Sequence, residues 1–248
     1  MWAYILLGAL QGIFEWLPIS SEGIVALSSG LLLEGINPVD IALFLHLGTL
    51  VAVLIYFRKV WKEVIQFRNP VLLRFLVIST LVSLAIGYPC YQLMHDVAVG
   101  AVLLLVTGAG LLFTALFHRF RQGGDENLDN SSNKLAVLAG LLQGLAVIPG
   151  LSRSGSTIFG LSLGRLTPSS VLKISYMMSV PVVMASTAYV VMKNPVLIEG
   201  WPALVTSFIV GIISLSLLMR IAERINFTRF ALFFAVLCIV GGIITLSI

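Results

Sequence analysis

The sequence predicts an all-helical, polytopic membrane protein: six transmembrane helices plus two re-entrant helical hairpins, arranged as an inverted-topology repeat. Three observations lead there. Hydrophobic residues make up 58% of the 248 and charged residues 10%, against about 25% charged in soluble domains, and mean hydropathy is +1.04. The charges are clustered, so that residues 75–94, 98–117, 174–192, 200–219 and 230–248 carry none. Each such run is 19 or 20 residues long, and ~20 helical residues cross a bilayer core. Finally, two polar, helix-breaking motifs recur at a fixed spacing, one near the start of each half.

Residues 41–57 form a sixth, slightly shorter apolar run with His46 as its one ionisable group. Solid apolar runs of this kind are not the weak alternation of a membrane β-barrel, the other closed solution for spanning lipid. The N-terminus lacks a basic region and a small-residue cleavage site, so it is not expected to be a cleaved signal peptide. Cys90 falls near a span end and Cys238 mid-span, which argues against a disulfide and for buried, inert thiols. The sequence pI near 9.3 does not indicate nucleic acid, because the basic residues sit in short loops beside spans. With the 58–74 loop placed in the cytoplasm, the segments 58–74, 118–134, 164–173 and 220–229 gather 13 of the 15 basic residues on that side. The positive-inside rule predicts such a bias. Lys193 alone lies outside, and Arg153 belongs to neither set of loops.

The polar stretch 121–133 is the one plausible linker, expected in the cytoplasm. It divides the chain into residues 1–120 and 134–248, each read as a hairpin followed by three spans. The halves open alike: 8–23 reads GALQGIFEWLPISSEG and 140–155 reads GLLQGLAVIPGLSRSG. At one constant offset (8 to 140, 132 residues), Gly8, Leu10, Gln11, Gly12, Ser20 and Gly23 match Gly140, Leu142, Gln143, Gly144, Ser152 and Gly155. An odd number of spans per copy inverts the second copy in the membrane, the arrangement of many transporter folds. Each motif breaks a helix too short to cross, so each is read as a hairpin whose turn lies at membrane depth. Such backbone is tolerated only against protein or a watery cavity. The Gly8/Gly12 and Gly140/Gly144 pairs suit close helix approach.

The two turns concentrate the chemistry. One holds Glu15, Ser20, Ser21 and Glu22; the other holds Ser152, Arg153, Ser154, Ser156 and Thr157. Ionisable groups at membrane depth point to function. A guanidinium fork, several hydroxyls and free backbone N–H groups at a helix start are the parts of a phosphate site. The structural alternative for Arg153 is an ion pair with Glu15 or Glu22. Glu15 lies one helical turn after Gln11, and a partly desolvated carboxylate there suits proton transfer. Ser21 reads equally as nucleophile or phosphate ligand, and Glu22 as a rim or structural residue. His46 reads first as a packing or hydrogen-bonding group and second as a catalytic one. His95 and His118 fall at span ends, where an interfacial role suffices. No P-loop, HExxH or paired-cysteine metal pattern is present.

Gln11-x-x-x-Glu15 followed by Leu-Pro-Ile-Ser-Ser, together with Pro149-Gly-Leu-Ser-Arg-Ser-Gly-Ser-Thr157, resembles the undecaprenyl-diphosphate phosphatases of the bacitracin-resistance type. The likeness extends over essentially the whole chain, including Phe44-Leu-His-Leu-Gly-Thr49. It implies hydrolysis of a polyprenyl diphosphate to the monophosphate and inorganic phosphate in the cell (plasma) membrane, recycling a lipid carrier. Carried over by position, it places catalysis on Glu15, Ser21 and Arg153. Phosphate binding falls on Gln11, Ser20, Ser152, Ser154, Ser156 and Thr157, with Glu22 and His46 as accessory residues. It also implies a divalent cation such as magnesium or calcium, with Glu15 as a candidate ligand, and no organic cofactor. The expected partners are the polyprenyl diphosphate and the bilayer, with a second copy of the chain as a candidate and no nucleic acid. One position departs from the pattern: the family's usual histidine three residues after the serine is Ile24 here. The proton work then falls to Glu15 or Glu22, or His46 substitutes. The alternative function is translocation of polyprenyl phosphates without hydrolysis.

Overall fold

The computed structural model of the protein describes residues 1–33, 37–93, 97–118, 128, 132–148, 151–164 and 166–247. Most of the expected linker, together with His95, Pro149 and Arg165, lies outside them. The described elements are all helical. The first hairpin is α1 (Trp2–Phe14) and α2 (Ser21–Leu32), followed by α3 (Pro38–Tyr56), α4 (Arg58–Ile65), α5 (Pro70–Leu93) and α6 (Val97–His118). The second is α7 (Asn133–Leu145) and α8 (Arg153–Ser162), followed by α9 (Pro168–Lys193), α10 (Trp201–Ala222, entered through a 3₁₀ turn at Pro195–Gly200) and α11 (Phe227–Ser247).

Among the described residues, four segments are by themselves long and apolar enough to cross a membrane: Pro70–Cys90, Pro168–Lys193, Pro195–Ala222 and Thr228–Ser247. The expected span at 41–57 is covered by the 19 residues of α3 up to Tyr56, and α4 follows at a bend of 80°. The expected span at 98–117 falls within the 22 residues of α6. Both hairpins are broken where the sequence places the break. Proline and the hydroxyl residues stop α1, and Ser20 and Ser152 then cap the returning helices by accepting hydrogen bonds from the Gly23 and Gly155 amides. Cys90 and Cys238 are both free.

Glycines decide how the hairpins dock. α1 crosses α10, and α7 crosses α5. A Cβ at Gly12 would stand 2.7 Å from the Gly211 nitrogen and 3.0 Å from the Ser207 carbonyl oxygen; one at Gly144 would stand 2.8 Å from the Ser83 oxygen and 3.2 Å from the Gly87 nitrogen. Gly8 likewise abuts Ala203 and Thr206, and Gly140 abuts Ser79 and Val82. Each contact on α10 lies at one offset from its counterpart on α5 (from 83 to 207, 124 residues). The hairpin of each half therefore packs on a span of the other half, through the same small-residue face. This exchange brings the two turns together, with α3 packed against α2 and α9, and α9 against α8.

Candidate functional site

The first turn delivers a carboxylate. Glu15 caps α1 at its C-terminus and is buried, with 4% of its surface exposed. Two anchors hold the turn behind it. The Trp16 indole N–H donates to the Gly211 carbonyl (3.1 Å) and the Ser214 hydroxyl (2.9 Å), and the Tyr176 hydroxyl donates to the Trp16 carbonyl (2.9 Å). The chain then passes through Ser20, whose φ of 57° is a left-handed conformation uncommon for a residue with a side chain. Such strain is typical of sites where the surrounding fold over-determines the backbone. It starts α2 abruptly and sets Ser21 at the first position of that helix, facing back toward Glu15.

The second turn delivers a cation. Arg153 is the first residue of α8, with Ser152 as its N-cap. The Ser154 hydroxyl donates to the Leu17 carbonyl at 2.9 Å, tying the second turn to the first. At Gly155 a Cβ would stand 2.9 Å from Pro18, so this glycine is what lets the motifs meet.

Four donors converge on Glu15. Its Oε2 accepts from the Gln11 amide (2.8 Å) and the Ser21 hydroxyl (2.9 Å), and stands 3.1 Å from His46 Nε2. Its Oε1 accepts from Arg153 Nη2. The ion pair that formed one reading of Arg153 is thus present, yet the fork has a second arm: Nη1 is buried without a hydrogen-bond partner. His46 Nδ1 lies 2.7 Å from the Ala42 carbonyl oxygen. Both ring nitrogens thus face oxygen atoms, Nδ1 that of the Ala42 carbonyl and Nε2 that of Glu15. The buried carboxylate is thereby paired with the Arg153 cation, as burial of charge demands.

Around these groups lies a cavity of about 30 Å³, room for about two waters. Glu15, Ser20, Ser21, Glu22, His46, Ser152, Arg153 and Ser154 line it, with Ala146 and Leu151 as its apolar wall. The N-termini of α2 and α8 both begin at it, and helix N-termini favour anions. Three residues of the sequence-derived set stand back from the cavity. Gln11 lies behind Glu15 and orients it. Ser156 donates to the Ser152 carbonyl (2.9 Å), and Thr157 to the Arg153 carbonyl (2.9 Å) with Ser175 as a further partner (2.6 Å). Trp16 and Tyr176 escaped the sequence reading. Their signal was a polar-tipped aromatic group in an otherwise apolar context, which does not by itself reveal a partner. Ile24 is absent from the cavity wall, where an imidazole is supplied by His46 from α3.

The donor set does not fit a metal ion at Glu15, whose oxygens are already taken by Gln11, Ser21, His46 and Arg153. Among the described residues, no group of three His, Cys, Asp or Glu side chains is placed to hold one.

The sequence comparisons agree with this geometry in extent. Three curated relatives are each named undecaprenyl-diphosphatase. That of Methanothrix thermoacetophila is 35% identical over 251 residues, covering 98% of this chain and 95% of the relative. That of Haloarcula marismortui is 36% identical over 264 residues, covering 97% and 96%, and that of Methanopyrus kandleri is 32% identical over 260, covering 98% and 94%. The family model described as bacitracin resistance protein BacA matches residues 4–242, both turns and the helices between them included, and the chain belongs to that family.

Proposed function

We propose that the protein hydrolyses a polyprenyl diphosphate of the undecaprenyl type to the monophosphate and inorganic phosphate. The observation that carries this reading is the 2.9 Å hydrogen bond from the Ser21 hydroxyl to Glu15 Oε2, made at the wall of a cavity that also holds Arg153. Nucleophile, base and anion-binding cation share one small volume.

In the reaction, the terminal phosphoryl group takes the free arm of Arg153, the amides opening α2 and α8, and the Ser20, Ser152 and Ser154 hydroxyls. Glu15 accepts the Ser21 proton as the Ser21 oxygen forms its bond to the terminal phosphorus. The bond from that phosphorus to the bridging oxygen breaks, and polyprenyl monophosphate leaves with the proton returned by Glu15. Water then gives a proton to the freed Glu15 carboxylate as it attacks the phosphoserine; the bond from phosphorus to the Ser21 oxygen breaks, that oxygen takes the proton from Glu15, and inorganic phosphate leaves. Direct attack by a water held between Glu15 and Ser21 gives the same products. Arg153 stabilises the charge on the in-line transition state. His46 holds Glu15 in place through the contact at its Nε2.

Residues 1–120 and 134–248 act, in this proposal, as inverted copies joined by the cytoplasmic linker 121–133. The equal spacing of the two helix crossings supports that relation. The membrane is the cell membrane, where the lipid carrier resides. No observation favours translocation without hydrolysis. The deciding experiment is phosphate release from undecaprenyl diphosphate by the purified protein in detergent. Steady multi-turnover release is expected, and none from a folded preparation that still binds the lipid would overturn the reading.

A further inference from the structure

A second cavity lies beside the catalytic one. It is an apolar groove of about 220 Å³ bounded by α5, α7 and α9, with Leu43 of α3 in its wall. Two of its polar wall residues turn their hydrogen bonds on each other, the Gln143 amide donating to the Ser83 hydroxyl at 3.0 Å.

The groove adjoins the catalytic cavity at two places. Val147 lines the groove and its chain neighbour Ala146 lines the cavity. On α3, Leu43 faces the groove and His46, about one turn further along the same face, faces the cavity. The groove also marks where the equivalent helix crossings differ. At Gly211, a side-chain carbon would first meet Thr49, Trp16 and Ala52, at 3.2 to 3.7 Å; at the counterpart Gly87, the nearest atoms all belong to the Gly144 backbone. Side chains pack one crossing, whereas the space beside the other is left as the groove. Leu84 and Ala185, on its rim, are exposed on α5 and α9, two helices able to cross a membrane. The groove therefore opens sideways into lipid, and an apolar chain can enter it without leaving hydrocarbon.

We infer that this groove holds the isoprenoid chain of the substrate where it leaves the diphosphate, making it the subsite that senses chain length. The inference rests on the phosphatase reading. Once phosphate is bound at Arg153, the first isoprene units must lie within bonding reach of the cavity wall. The groove supplies apolar walls there, Leu43, Leu84, Val147, Val182 and Val190 among them.

The test compares two substrates, undecaprenyl diphosphate and the shortest isoprenyl diphosphate that the unsubstituted protein turns over. Leu84→Trp and Ala185→Trp each fill the groove from an exposed rim position, so neither disturbs the packed interior. KM for undecaprenyl diphosphate is expected to rise about tenfold, equivalent to about 1.4 kcal/mol of lost binding, with kcat little changed. For the short substrate, kcat/KM should stay within about twofold, the mark of lost uniform binding confined to the tail. Equal loss on both substrates, or no loss on either, would refute the assignment; the latter is the result expected if the groove holds only membrane acyl chains. Absence of phosphate release from either substrate by the unsubstituted protein is a separate outcome. It removes the phosphatase reading itself, and the chain-length subsite with it.

Discussion

At the scale of single residues, Glu15 and Arg153 govern the site. Three donors reach one oxygen of the Glu15 carboxylate and Arg153 reaches the other, so the group is fixed in orientation before substrate arrives. Glu15→Gln preserves size and much of this network but removes the proton acceptor of the proposed reaction. Phosphate release should fall by ~10²-fold or more, with the protein still folded. Arg153→Lys keeps the charge yet loses the planar fork, which here serves Glu15 with one arm and is left with the other free. Loss of a transition-state contact of ~3–4 kcal/mol lowers turnover ~10²–10³-fold. Near-normal kcat in either variant would withdraw that residue from the mechanism. Glu15, Ser21 and Arg153 were legible in the sequence because charge and hydroxyls are conspicuous beside apolar spans. His46 was less so: a lone histidine in a span gains its meaning from what faces it, and Glu15 lies on another helix 31 residues away in sequence (15 to 46).

Elements meet through glycine. The α1–α10 and α7–α5 crossings bring backbones so close that a single added carbon collides with main-chain atoms, which cannot rotate aside. Gly12→Val should therefore destabilise the folded protein by about 1–3 kcal/mol. Thermal unfolding in detergent would show this as a lowered midpoint, with activity falling alongside it. Gly30→Ala is the matched control, since the nearest atom to its new carbon is Pro38 Cγ at 3.7 Å, an ordinary contact. If Gly12→Val unfolds no earlier than Gly30→Ala, close packing at that crossing is not what holds the hairpin. The GxxxG spacing announced these glycines, but not their partners. The counterpart positions Ser83/Ser207 and Gly87/Gly211 emerge as equivalent only when both crossings are seen.

For the whole molecule, the proposed inverted repeat carries a prediction about sidedness. With Cys90 and Cys238 replaced by alanine, a cysteine at Asn130 should resist a membrane-impermeant thiol reagent in intact cells, and one at Glu199 should react. The reverse pattern would invert the orientation drawn from the basic residues, and with it the side from which each hairpin enters. Sidedness also sets which leaflet supplies the substrate, so this labelling bears directly on how the lipid reaches the lateral opening between α5 and α9.

The sequence by itself determined that this is a helical membrane protein, where its helices break, and which two turns hold the polar and charged side chains. These properties are local: an apolar run long enough to cross lipid, a proline or glycine that ends a helix, a charge too costly to bury idly. Only the tertiary structure decided that each hairpin docks on the opposite half, that His46 faces Glu15 while Ser156 and Thr157 turn away from the cavity, and that one crossing is packed while the other leaves a groove. Those outcomes depend on distances between residues far apart in the chain. They are set by how closely two backbones approach, which no single segment encodes.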